Sequence, residues 1–274
     1  MRVSINTITI DFETTGPRAG LPVIFIHGFP FSKEMWRPQV EAMKKDHYVV
    51  TYDVRGHGKS DVGDGQYTIE YFVDDLIGLM DHLKIAKGVV AGLSMGGYIA
   101  LRAIERHPGR FRALVLCDTR SEPDGNDGKV KRAEQAKLIK TEGMKPFAEN
   151  FVKGVFYEKT FAENPDTVQM IRDIILRTSP IAVAGTLIAL AGRTDTTPSL
   201  FSIKVPTLIL VGQHDALTPP SASHAMKDKI PDAEIHSIPR SAHLSNLENP
   251  GIFNEHLMKF LNSLQRPVQT IKRR

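Results

Sequence analysis

Ser94 lies in the run Gly92-Leu93-Ser94-Met95-Gly96, between the apolar stretch Val89-Val90-Ala91 and a helix-like segment. A Gly-x-Ser-x-Gly at a strand-to-helix turn strains the serine backbone and leaves its hydroxyl exposed above the carboxyl edge of a sheet. Glycine on either side removes the Cβ atoms that would collide where strand and helix converge. A serine placed this way becomes a nucleophile only beside a base, an orienting acid and donors for a developing oxyanion. Two later loops supply the charged groups. Gly212-Gln213-His214-Asp215 follows the β-rich run Thr207–Val211, and Pro239-Arg240-Ser241-Ala242-His243 follows Glu234–Ile238. Both leave the same sheet edge as Ser94, in the order serine, acid, histidine. Asp215 is therefore read as the acid and His243 as the base, a set suited to acyl transfer.

The chain has ten histidines, so the choice needs argument. His27 and His57 sit in glycine-flanked turns and read as structural. His107 beside Pro108 and His47 ahead of a strand read as surface residues. His214 competes by proximity, but neighbours in one loop do not readily face each other and Ser94 together. Asp118, after the preceding strand, stays open as an alternative acid. The amide of Met95, at the start of a helix, is one oxyanion donor.

These residues need a scaffold that brings strand ends together. The runs Ile8–Glu13, Val23–His27, Tyr48–Asp53, Val89–Leu93, Leu114–Cys117, Thr207–Val211 and Glu234–Ile238 read as strands, alternating with helical patterns. That rhythm predicts a mostly parallel sheet with helices on both faces. Ile69–His82 carries Phe72, Leu76 and Leu79 near a 3.6 period, Tyr98–Arg106 ends at His107-Pro108-Gly109, and a last helix spans roughly Ile252 to Leu264. Between Glu122 and Leu200 no strand is predicted. Helices are expected there, two of them starting at Pro165 and Pro180. The divisions expected are a first core part over 1–121, a helical cap over 122–200 and a second core part over 201–274. Ile181–Leu190 is apolar on every face, so a helix buried between cap and core is expected, one face lining an apolar pocket.

Composition narrows the function. The formal charge is +4, and Arg266, Lys272, Arg273 and Arg274 at the C-terminus account for all of it. The body has no excess positive charge for nucleic acid, and the basic end reads as a solvated tail. The single cysteine, Cys117, allows no internal disulfide and reads as a buried small hydrophobe. No segment approaches the ~20 apolar residues of a membrane span, and the N-terminus lacks a signal-like apolar run. A cytoplasmic protein is expected, with no metal, cofactor, nucleic acid or membrane partner.

With these motifs in order the chain resembles the α/β-hydrolase superfamily over nearly its whole length. They are His27-Gly28-Phe29-Pro30, Asp53-x-Arg55-Gly56-His57-Gly58-x-Ser60, the Ser94 turn, Asp215 ahead of Leu217-Thr218-Pro219-Pro220, and His243-Leu244-Ser245-Asn246-Leu247-Glu248. The resemblance is strongest to 3-oxoadipate enol-lactonases and their carboxylesterase relatives. It is looser to cofactor-free haloperoxidases and carbon–carbon bond hydrolases. One departure is Ala242, where many relatives have glycine. The resemblance implies an eight-stranded sheet with a cap inserted after strand six, a second oxyanion donor at Phe29, and a structural role for the Asp53–Ser60 turn. It implies hydrolysis of small to medium carboxylic esters or lactones, ahead of a dedicated enol-lactonase. For the latter, Arg120, Arg132, Arg172 and Arg193 are candidate partners of an anionic substrate. A non-catalytic receptor on this fold is the rival of another class.

Overall fold

The computed structural model describes residues 1–265; the basic residues from Arg266 onward lie outside them. The chain begins with a hairpin of β1 (Arg2–Ile5) and β2 (Ile8–Thr15). Its two-residue turn, Asn6-Thr7, has φ of 47° and 69°, the left-handed pair that suits the twist of a tight hairpin. The hydrophobic pattern does not announce β1, because four residues are too few to show a period.

Six more strands follow: β3 (Leu21–Ile26), β4 (His47–Tyr52), β5 (Gly88–Leu93), β6 (Phe111–Cys117), β7 (Thr207–Gly212) and β8 (Ala233–Ile238). The sheet order is β1-β2-β4-β3-β5-β6-β7-β8. Pairing is antiparallel through β2 and parallel from β4 onward. Every residue of β4, β5 and β7 is buried, as strands covered on both faces must be. The helices α1 (Arg37–Met43), α2 (Ile69–His82) and α3 (Met95–Arg106) provide part of that cover. Thr68 caps α2 by accepting the Tyr71 N–H. His47, expected at the surface, is buried at the start of β4, where its ring meets the Gln265 side chain at 3.3 Å.

Between β6 and β7 the chain is helical: α4 (Asn126–Glu142), α5 (Met144–Val155), the single turn α6 (Thr160–Glu163), α7 (Pro165–Arg177) and α8 (Pro180–Ala191). Asn164 caps α7 through the Thr167 N–H, with Pro165 and Pro180 at the first turns of their helices. The apolar helix α8 packs on α4. Its Gly185 passes so close to Gly65 that a Cβ would lie 2.0 Å from the Gly65 carbonyl oxygen. Ile181 and Ile188 are exposed, so α8 is not covered on every side as its composition suggests.

After β7 come α9 (Pro220–Lys227), then α10 (Ser245–Glu248) and α11 (Pro250–Gln265) beyond β8. Among the described residues no single helix is long and apolar enough to cross a membrane. The register sets Ile26 beside Gly92, Leu93 beside Cys117, Cys117 beside Leu210 and Gly212 beside Ile238. Five strands thus end level, and their loops emerge along one edge.

Candidate active site

Ser94 adopts φ 54° and ψ −113°, strained backbone of the kind that costs on the order of 1–3 kcal/mol and persists only where the surroundings enforce it. The enforcement is visible. Its N–H donates to the Cys117 carbonyl at 2.9 Å, and its carbonyl accepts the Gly97 N–H at 2.9 Å and the Thr119 hydroxyl at 2.8 Å. A Cβ on Gly92 would lie 2.1 Å from the Gly96 oxygen, and one on Gly96 would lie 2.2 Å from the Ile26 oxygen. Only glycine permits this crossing of β5, α3 and β3.

Asp215 is 3% exposed and His243 2% exposed. Oδ2 of Asp215 lies 2.9 Å from Nδ1 of His243 and accepts the Thr218 hydroxyl at 2.7 Å, while Oδ1 accepts the Leu217 and Thr218 N–H groups at 2.9 and 3.0 Å. Burial opposes the charge of this carboxylate, but the His243 ring and the hydrogen bonds outweigh it and hold the pKa below the ordinary value. Asp118 is fully buried and does not meet His243. It accepts the Gly212 N–H at 2.7 Å and lies 2.5 Å from the Ser245 hydroxyl. Burial, followed by the charge of Asp215, pushes its pKa well above the carboxylate range. His214 turns away and stacks on Tyr157 at 4.4 Å.

Ser94, His243, Phe29 and Met95 line one cavity of about 390 Å³. His27 secures the Phe29 loop from below, its Nδ1 2.8 Å from the Gly28 carbonyl and its Nε2 accepting the Val54 N–H at 2.9 Å. Asp53 accepts the Lys33 and Lys59 N–H groups at 2.7 and 2.9 Å, and Ser60 donates to its carbonyl at 2.6 Å. The Asp53–Ser60 motif is thus a closed turn. A model of the alpha/beta hydrolase fold family matches residues 22–250. The chain belongs to the alpha/beta hydrolase fold family.

Among members of known sequence, it is 30% identical over 257 residues to 3-oxoadipate enol-lactonase 1 of Acinetobacter baylyi, covering 94% of each chain. Among solved structures, a thermophilic esterase from Thermogutta terrifontis, described as malate bound, superposes with a TM-score of 0.94 at 37% identity, over 97% of this chain and 100% of that one. The enol-lactonase from Burkholderia xenovorans gives 0.90 at 31%, over 96% and 100%.

The aromatic wall of the cavity that Ser94 lines in this alpha/beta hydrolase fold chain is the part the motifs did not announce. Phe147 and Phe151 of α5 stand one helical turn apart and meet Phe29 edge-on at 6.2 and 5.9 Å between centroids. Their i,i+4 spacing was the available signal. From α8 only Leu190 reaches the cavity. Of the four arginines singled out, Arg120 and Arg132 line it. Arg193 is buried over the Tyr98 ring and pairs with Asp124 at 2.9 Å, and Arg172 pairs with Glu149. Arg132 also pairs with Asp124, and these two arginines hold its carboxyl down at about 2 despite burial. Among the described residues Arg120 and Lys131, which also lines the cavity, have no carboxylate partner.

Proposed function

We propose that the protein is a serine hydrolase of carboxylic esters and lactones with small to medium acyl groups. The observation that carries this reading is the 2.9 Å contact between Asp215 and His243 at a cavity that His243 shares with the strained Ser94. In this reading Ser94 Oγ attacks the carbonyl carbon while His243 Nε2 takes its proton. Asp215 holds the ring with Nδ1–H toward itself and stabilises the imidazolium. The Phe29 and Met95 N–H groups receive the oxyanion. The tetrahedral adduct collapses, the alcohol departs with the proton from His243, and an ester bond to Ser94 remains. Water then attacks that acyl group, its proton passing through His243 to the Ser94 oxygen as the acid leaves. Residues 122–200 act as the cap that closes the acyl pocket, and its aromatic wall favours a neutral acyl chain.

A second reading rests on a specific observation. Arg120 and Lys131 bring positive charge to the cavity without a carboxylate partner among the described residues, which suits an ester or lactone that carries a carboxylate. The likeness to enol-lactonases supports it.

One experiment tests both: initial rates on p-nitrophenyl esters of graded acyl length and on 3-oxoadipate enol-lactone, with wild type and Ser94→Ala. Ser94-dependent turnover that peaks at short neutral esters supports the first reading, and preference for the lactone supports the second. A folded Ser94→Ala protein with full esterase activity overturns the assignment.

A further inference from the structure

Glu248, the last residue of α10, lies one helical turn beyond the loop that carries His243. Its Oε1 accepts the N–H of Ala242, the residue before His243, at 2.7 Å. Its Oε2 accepts the N–H of Tyr157, in the segment that joins α5 to α6, at 2.7 Å and the hydroxyl of Thr160, the first residue of α6, at 2.6 Å. His243 itself donates its backbone N–H to the carbonyl of Val155, the last residue of α5, at 3.1 Å. Tyr157 also stacks on His214, the neighbour of Asp215. One stretch of the helical insertion therefore touches the loops of both charged residues, and the Glu248 carboxylate is where two bonds from that stretch and one from the His243 loop converge.

We propose that Glu248 is a positioning residue that fastens the His243 loop to the insertion, so that the base is held partly by the helices that also wall the acyl pocket. This rests on the serine-hydrolase reading, in which His243 must meet Ser94 within a few tenths of an ångström. A carboxylate suits the task because it only accepts, and both of its oxygens face donors. A glutamine must turn an NH₂ group toward either Ala242 or the Tyr157–Thr160 pair, and one side of the junction is lost. Glu248 is half-buried, and a lost bond leaves a donor of the junction without its carboxylate partner. α5 also supplies Phe147 and Phe151 to the acyl pocket, so whatever loosens this junction disturbs the base and the pocket wall together.

The test compares the full chain with Glu248→Gln, Thr160→Val and the double variant. It reads kcat and KM on p-nitrophenyl butyrate, thermal midpoints, and the downfield ¹H NMR signal of the His243 Nδ1–H. Displacement of a catalytic group by about 1 Å costs up to roughly 100-fold, so Glu248→Gln is expected to lower kcat between about 10- and 100-fold with KM little changed. The Nδ1–H signal should broaden or shift. Thr160→Val should lower kcat by a smaller factor, and the double variant should be no slower than Glu248→Gln, since both changes open one junction. A folded Glu248→Gln with wild-type kcat and an unmoved signal overturns the proposal, as do effects of the two changes that simply multiply. If Glu248→Gln does not fold, Thr160→Val decides alone, and wild-type kcat with an unmoved signal overturns it. Absence of Ser94-dependent turnover in the wild type defeats the serine-hydrolase reading instead, while the NMR signal still reports whether Glu248 holds the ring.

Discussion

Asp215 meets His243 with one carboxylate oxygen, Oδ2 at 2.9 Å from Nδ1, while its other oxygen is held by the Leu217 and Thr218 N–H groups. The loop thus orients the carboxylate independently of the histidine. Asp215→Asn keeps the acceptor for those two amides and turns an NH₂ toward Nδ1. The ring must then accept at Nδ1 and carry its proton on Nε2, where it no longer takes one from Ser94. Neutralising the acid of such a triad with its geometry intact costs about 10⁴ in kcat. Asp215→Asn should show a loss of that order on p-nitrophenyl acetate, with its thermal midpoint preserved. A loss under about tenfold would contradict the role given to Asp215.

Asp118 lies one strand away, and burial followed by the charge of Asp215 raises its pKa well above the ordinary carboxylate value. Ser245 donates its hydroxyl to Oδ2 and Gly212 its N–H to Oδ1; asparagine keeps an acceptor for Gly212 and turns an NH₂ toward Ser245, whose hydroxyl can accept instead. Asp118→Asn should therefore leave kcat and stability close to wild type. Asp118→Ala strands a buried N–H and a hydroxyl, at a cost of about 1–3 kcal/mol for each unpaired group. Urea denaturation of the two variants decides: Asn as damaging as Ala means that Asp118 carries charge.

Arg120 gives a way to separate neutral from anionic substrates. Arg120 lines the cavity, and among the described residues its guanidinium donates only to the Leu217 carbonyl, at 3.3 Å. A hydrogen bond to a charged group contributes about 1.5–3 kcal/mol, or roughly 10- to 100-fold in kcat/KM. Arg120→Met should lower kcat/KM by that factor for a hemiester of succinic acid and leave a neutral ester of equal size nearly unchanged. An equal effect on both would show that Arg120 acts on the fold and not on substrate charge.

That Ser94, Asp215 and His243 come together was legible in the sequence, because the chemistry proposed for them imposes local patterns. Gly92 and Gly96 are forced by backbone approaches of 2.1 and 2.2 Å, and Asp215 and His243 must follow strands whose ends lie level. What was not legible depends on which neighbour covers a face, which no period records. The composition of Ile181–Leu190 announced burial, but not that α4 and Gly65 would be its partners while Phe147 and Phe151 took the cavity wall. His47, ahead of a strand, looked like a surface residue, and only its place at the start of the interior strand β4, with Gln265 of α11 against its ring, shows that it is enclosed. Arg193 read as a substrate cation, yet Asp124, 69 positions away, uses its charge inside the protein.

His57 connects the site to pH. Its ring is buried beside His27 at 5.3 Å, with Nδ1 3.1 Å from the Arg55 carbonyl and, among the described residues, no partner for Nε2. Burial, reinforced by His27, pushes its pKa down to about 3, against an ordinary value near 6.5. Between those values the unfolded chain binds a proton at His57 that the folded chain does not, so the stability contributed by the neutral ring falls as pH drops below about 6.5. The slope is about 1.4 kcal/mol per pH unit, hence about 2 kcal/mol lost by pH 5. Asp118 and Glu248, raised by burial, titrate in the opposite sense and mask this in wild type alone, but they cancel against a variant that keeps them. His57→Asn retains a donor toward Arg55 and has nothing to protonate. Relative to that variant, wild type should lose about 2 kcal/mol between pH 7.5 and 5.0 in urea denaturation; a difference that does not change with pH would show that the folded chain takes up a proton at His57 as readily as the unfolded one.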